Sequence, residues 1–127
     1  MKNYFNIILL CLILIVFFSC DIFLEEDIID DEIVLNSPGD QVTIKEVDVI
    51  FWWEEMEGAE KYNLQVVKPG FEFAENLVAD TFVSKNKLEL KLSQGSYQWR
   101  VSGHNGYYDS DFSVGSFTVD TTAVALK

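Results

Sequence analysis

The chain has 127 residues and carries 21 acidic against 9 basic side chains, a net charge of −12. With 49% hydrophobic residues it can build one packed core, and its length allows a single small domain. A surface this acidic repels phosphate backbones, and no stretch is basic enough to reverse that locally, which excludes nucleic acid as a partner.

The first element is an apolar run of 12 residues from Ile7 to Phe18, behind a short head whose only charge is Lys2. A membrane-spanning helix needs about 20 apolar residues, whereas the core of a secretory signal needs about 7 to 15. The run therefore predicts a signal peptide over residues 1–19. Cleavage before Cys20 would leave 108 residues with 21 acids against 8 bases. Cys11 lies within the removed segment, so the mature chain has no second thiol with which Cys20 could form an internal disulfide. Phe17-Phe18-Ser19-Cys20 resembles the lipobox of bacterial lipoproteins, in which the cysteine receives a diacylglycerol and becomes the new N-terminus. That resemblance implies a membrane partner engaged through lipidated Cys20 and a place in the bacterial cell envelope, and the acids that follow, through a resemblance of their own, imply anchoring in the outer membrane with exposure at the surface. Each buried CH₂ of such an anchor contributes about 0.8 kcal/mol, and more than one acyl chain makes attachment effectively permanent. The alternative is an ordinary signal peptide followed by an incidental cysteine.

Residues 20–32 hold seven acids and no base, which predicts an extended, solvated tether. Acids soon after the lipidated cysteine also resemble the export signals of Bacteroidetes surface lipoproteins. From residue 33 to 122 the pattern changes to alternation with a period of two. Val49, Phe51 and Trp53 share one face of a strand. So do Tyr62, Leu64 and Val66; Leu88, Leu90 and Leu92; Tyr97, Trp99 and Val101; and Phe117 and Val119. Turn formers separate them at Pro38-Gly39, Glu57-Gly58, Pro69-Gly70, Gln94-Gly95 and Asn105-Gly106. Alternating strands without crossover helices predict an all-β fold, an antiparallel two-sheet sandwich of about seven strands. Residues 123–127 read as a short tail.

The order Phe51-Trp52-Trp53-Glu54, Tyr62-Asn63-Leu64-Gln65-Val66, Gly95-Ser96-Tyr97-Gln98-Trp99-Arg100-Val101 and Ser116-Phe117-Thr118-Val119 resembles fibronectin type III domains of bacterial surface proteins, an immunoglobulin-like fold. The resemblance makes Trp53 the core tryptophan of the second strand, Tyr62 an inward tyrosine and Tyr97 a corner tyrosine. Trp52 departs from the pattern, since a small polar residue often precedes the core tryptophan.

Chemistry is sparse. His104 is the only histidine, so neither a Cys/His metal cluster nor a Cys-His dyad can be assembled within one mature chain. A serine triad would have to pair His104 with an acid such as Asp109, yet nothing resembles a nucleophile elbow, and His104 is expected in a solvated loop. The carboxylates of Glu54-Glu55 and of Asp109-Ser110-Asp111 fall short of the six to eight oxygens that calcium takes. No enzyme activity, cofactor or metal is expected. Lys85, Lys87 and Lys91 alternate with inward leucines and are expected to blunt an edge strand. Trp52, Tyr107 and Tyr108 are the candidate binding residues: Trp52 must leave the face that Trp53 enters, and the tyrosines fall in a loop. The alternative for Trp52 is simple packing over neighbouring lysine stems. The functional expectation is a non-catalytic binding or spacer module for protein or glycan. The alternative is an accessory surface lipoprotein of a carbohydrate-uptake system.

Overall fold

A computed structural model of the chain describes residues 3–4, 6–8 and 26–122. Cys20, the predicted cleavage point and the 123–127 tail lie outside the described residues. Among the described residues no helix is long and apolar enough to cross a membrane.

The described residues form eight strands: β1 (Leu35–Ser37), β2 (Val42–Ile44), β3 (Asp48–Trp53), β4 (Lys61–Lys68), β5 (Asn76–Val83), β6 (Lys87–Lys91), β7 (Gly95–His104) and β8 (Ser113–Val119). They form a three-stranded sheet in the order β1-β3-β6 and a five-stranded sheet in the order β2-β8-β7-β4-β5. The expected all-β sandwich is thus present. All pairings are antiparallel except β2 with β8, which is parallel. The parallel pair arises because the chain leaves β1 in one sheet, turns through Pro38 to Gln41, and enters β2 in the other. Asp40 secures this crossing: Oδ1 accepts hydrogen bonds from the backbone N–H and the hydroxyl of Ser116 on β8, both at 2.9 Å.

Each sheet contributes its inward rows to one core. On β3, Val49, Phe51 and Trp53 are buried while Asp48, Ile50 and Trp52 between them are exposed. Phe51 packs edge-on against Trp99 (ring centroids 5.1 Å apart) and Phe117 (5.8 Å), so an aromatic of the small sheet fills the space between two strands of the large one. Trp53 meets Tyr62 edge-on at 5.5 Å, and Tyr97 stacks on Phe117 at 5.3 Å. A core aromatic hides about 150 to 250 Å². At about 25 cal/mol per Å² that is several kcal/mol each before chain entropy is subtracted. The Tyr97 hydroxyl donates to the Ser93 carbonyl at 2.7 Å, closing the corner before β7 as the sequence pattern implies.

β5 has no counterpart among the alternating rows of the sequence. Its stretch Asn76-Leu77-Val78-Ala79-Asp80-Thr81-Phe82-Val83 alternates poorly, and a register shift opposite Val66 and Val67 interrupts its pairing with β4. Only Ala79 and Val83 of this strand pack against the core.

The expectation of a solvated tether fails at its C-terminal end. Ile28 is fully buried, and Asn105 Nδ2 donates to the Glu26 carbonyl at 2.8 Å. Ile28 fits because Gly58, at φ +80°, has no Cβ: one built there would lie 3.1 Å from Ile28 Cγ2 and 2.9 Å from Glu26 Oε2. An isoleucine offered a glycine-lined recess buries its apolar surface, and the acids around it stay in solvent. Residues 26–32 therefore belong to the packed body at the end of the sandwich that carries the 54–60 and 105–112 loops.

Candidate functional site

Trp52 and Trp53 occupy successive positions on β3, so their side chains leave opposite faces. Trp53 is fully buried and Trp52 is 47% exposed. Cross-strand register places Trp52 between Ser37 on β1 and Lys87 on β6. These residues and Ile50 line a shallow depression of about 380 Å³ on the outer face of the small sheet. Lys87 thus borders Trp52, as the packing alternative expected, without covering it. β6 is the edge of its sheet, so Lys87 and Lys91 lie on an edge strand, and Lys91 pairs with Asp48 at 3.5 Å.

The other two candidates sit elsewhere. The side-chain oxygen of buried Asn105 accepts from the backbone N–H groups of Tyr107 (3.2 Å) and Tyr108 (2.9 Å), which fixes the turn. Tyr107 then projects into solvent, 77% exposed, while Tyr108 is half-buried. Neither tyrosine lines the Trp52 depression, so the sequence-level candidates form two separate surfaces.

His104 is not a loop residue: it ends β7, pairs with Asp109, and its ring lies 5.7 Å from that of Phe82. Proximity to Asp109 does not make a triad. The Ser110 hydroxyl donates to the Asp111 carbonyl at 3.0 Å and accepts from the Gly103 N–H at 2.8 Å, so it is committed to the turn. Glu54, Glu55 and Glu57 share a cleft with Glu26, Asp31 and Glu32, yet among the described residues no group of three or more His, Cys, Asp or Glu side chains is placed to hold a metal ion.

Sequence reasoning missed the outer face of the large sheet. Arg100 lies between the rings of Phe71 (4.2 Å) and Phe112 (4.3 Å), and its Nε donates to Gln65 Oε1 at 2.8 Å. Gln65 Nε2 and Asn63 Nδ2 in turn donate to Asp80 Oδ1, at 3.2 and 3.3 Å. Next to Arg100, the 69–73 loop that carries Phe71 forms one wall of a groove of about 510 Å³. Ser96, Gln98 and Thr118 supply polar groups there, and Phe73 stands at the groove 74% exposed. Phe71 and Phe73 following Pro69-Gly70 were the available signal. The partners of Phe71, Gln98 and Arg100, lie more than 25 residues away, outside the reach of local alternation.

Comparison with solved structures places this geometry. The chain is similar to the crystal structure of FN3tt, with a TM-score of 0.51 at 18% identity, covering 70% of this chain and 96% of that one. A mutant of FN3tt matches with a TM-score of 0.45 at 17% identity, covering 67% of this chain and 84% of that one. No protein-family model matches the chain, and no curated protein matches it significantly. The likeness defines the class of fold: a fibronectin type III-like β-sandwich. It extends to fold alone.

Proposed function

We propose that this chain is a lipid-anchored bacterial envelope protein whose single sandwich domain is a non-catalytic recognition module. The carrying observation is the contrast at β3, where Trp53 completes the core and Trp52 is left half-exposed beside Ile50 in an uncovered depression. Exposed tryptophan offers a rigid apolar surface for protein anchors or for stacking on a sugar ring. Anchoring rests on the lipobox-like Phe17-Phe18-Ser19-Cys20, and the acids that follow support display at the outer surface.

A second reading is an accessory lipoprotein of a carbohydrate-uptake system. The groove beside Phe73 favours it, because hydroxyl and amide side chains next to an exposed ring suit a glycan. Two experiments test these readings. Cys20→Ala should abolish lipid labelling and shift the protein out of the detergent phase; unchanged partitioning removes the anchor. Glycan arrays and pull-downs from envelope extracts should show a ligand lost in Trp52→Ser and retained in Phe73→Ser. The reverse pattern supports the glycan groove, and loss in a Tyr107→Ser, Tyr108→Ser variant moves recognition to the loop. If all three variants bind as wild type does, spacing is the better account.

A further inference from the structure

Asn105 and Ile28 fasten the segment before β1 to one end of the sandwich. The Asn105 side chain donates to the Glu26 carbonyl at 2.8 Å, and Ile28 is fully buried in the recess that Gly58 opens. That end carries the 54–60 loop between β3 and β4 and the 105–112 loop between β7 and β8. A chain extends at most about 3.3 to 3.6 Å per residue, so whatever path residues 20–25 take, Cys20 lies within about 20 Å of Glu26. With the whole tether free as far as Ile33, the same limit would be about 45 Å. β7 has ten residues, which at about 3.3 Å each make the sandwich about 30 Å long. A free tether would let either end approach a membrane first. The fastened one is shorter than the domain and lets only the near end do so.

We infer that this near end is a lipid-facing surface, with the 105–108 turn toward the headgroups of the bilayer that holds the Cys20 anchor and the β6–β7 turn at Ser93 and Gln94 pointing away. The inference rests on the lipid-anchored reading proposed above. Tyr107 suits such a place. It is 77% exposed, more than any other large hydrophobic side chain among the described residues, and a ring with a polar tip belongs where lipid meets water. A Cβ built on the neighbouring Gly106 meets nothing within 4 Å, so the turn stands clear of the body. Charge selects the headgroup. Residues 26–32, 54–60 and 105–112 hold 11 acids and no base, against Lys61, Lys85 and Lys87 at the same end. The lipid surface that fits is therefore one without net negative charge. The groove lined by Ser96, Thr118 and Phe73 lies toward the opposite end, open to ligands from solution.

The test uses the full lipidated chain in phosphatidylcholine vesicles, with one fluorescent label at a time. Once Cys20 is acylated the mature chain has no other thiol, so a single introduced cysteine takes the label. Nitroxide carried on lipid headgroups should quench a label at Tyr107→Cys at least threefold more than one at Gln94→Cys. Labels at Ile50→Cys and Val114→Cys, on the two broad faces, should fall between. Phosphatidylglycerol vesicles should lower the quenching at position 107, and a rise there overturns the choice of an uncharged surface. Ile28→Asp, which lifts the segment out of its recess, should bring the four labels toward equal quenching. So should an insertion of about twelve glycine and serine residues after Glu25, which lengthens the leash without touching the packed body. Equal quenching at 107 and 94 with the native tether, strongest quenching on a broad face, or a contrast that the insertion leaves unchanged overturns the inference. A chain that fails to float with the vesicles removes the anchor and the orientation with it, whereas one that floats with equal quenching removes the orientation alone.

Discussion

The two sheets of this sandwich solve the same burial problem with different outer faces. In the small sheet, β3 alternates strictly, its inner row is core, and its outer row leaves Trp52 and Ile50 bare above Lys87. In the large sheet the inner rows of β4 and β7 are equally regular, yet the outer face is occupied by Arg100 between two phenylalanines and by the chain of contacts from Gln65 to Asp80. Over its central strands the large sheet's outer face is held together by side chains, whereas the small sheet's is left open. An open apolar face is where a partner gains most from binding.

If the two inner faces form one cooperative core, truncating either sheet's central tryptophan should be equally damaging. Trp53→Ala on β3 and Trp99→Ala on β7 should each cost about 3 to 5 kcal/mol, the range for large aromatic truncations in cores. Denaturant unfolding checks this. A much smaller loss for Trp53→Ala would mean that the small sheet is only loosely coupled to the large one.

Ile28 belongs to neither sheet and tests whether the packed end depends on both. Ile28→Ala should cost about 2 kcal/mol, the low end for a buried aliphatic truncation, because residues 26–32 can lift off while both sheets stay folded. Proteolysis should then cut within 20–32 well below the unfolding temperature. Co-operative loss of the whole domain instead would make this segment a true third part of the core.

What was legible in the sequence follows the same division. The inner rows were readable because burial on one face imposes period two, and a tryptophan or leucine at every second position reports it directly. The Tyr97 corner was readable through resemblance alone, and its hydroxyl does reach Ser93. β5 was not readable, because an edge strand buries little and a register shift breaks its alternation. Arg100 was not readable either: its outward position was evident, but its partners Phe71 and Phe112 meet it only through the folded chain. Trp52 was readable as outward, since Trp53 fixes the phase. Ile28 was misread because seven acids in 12 residues outweigh five apolar side chains in any compositional argument, whereas burial needs only one well-shaped recess.

Tyr97→Phe should cost the large sheet about 0.5 to 1.5 kcal/mol, since only the hydroxyl's bond to Ser93 disappears while the ring stays stacked on Phe117. A smaller, pH-dependent effect marks the crossing between the sheets. The Ser116 N–H and hydroxyl hold the Asp40 carboxyl below its ordinary value. A depressed carboxyl contributes stability that is present above its unfolded value and lost as pH falls through its folded one. The wild type should therefore lose stability more steeply than Asp40→Asn in acid below the ordinary carboxylate range, with the two curves running parallel near neutrality. Identical acid limbs in thermal melts would show that the crossing does not depend on this carboxylate.

The smallest expected change in stability is at Trp52, and it separates the two outer faces most sharply. Its side chain lies on the face opposite the core and borders only Ser37, Ile50 and Lys87 in its depression, so Trp52→Ser removes little buried contact. The thermal unfolding free energy should stay within about 0.5 to 1 kcal/mol of wild type, in line with surface substitutions. Arg100→Ala in the other sheet should cost more, because it strips two stacked rings and an amide of their common partner. If Trp52→Ser proves the more destabilising of the two, the small sheet's outer face is held by its tryptophan after all, and its exposure is packing against Lys87 instead of a surface kept open for a ligand.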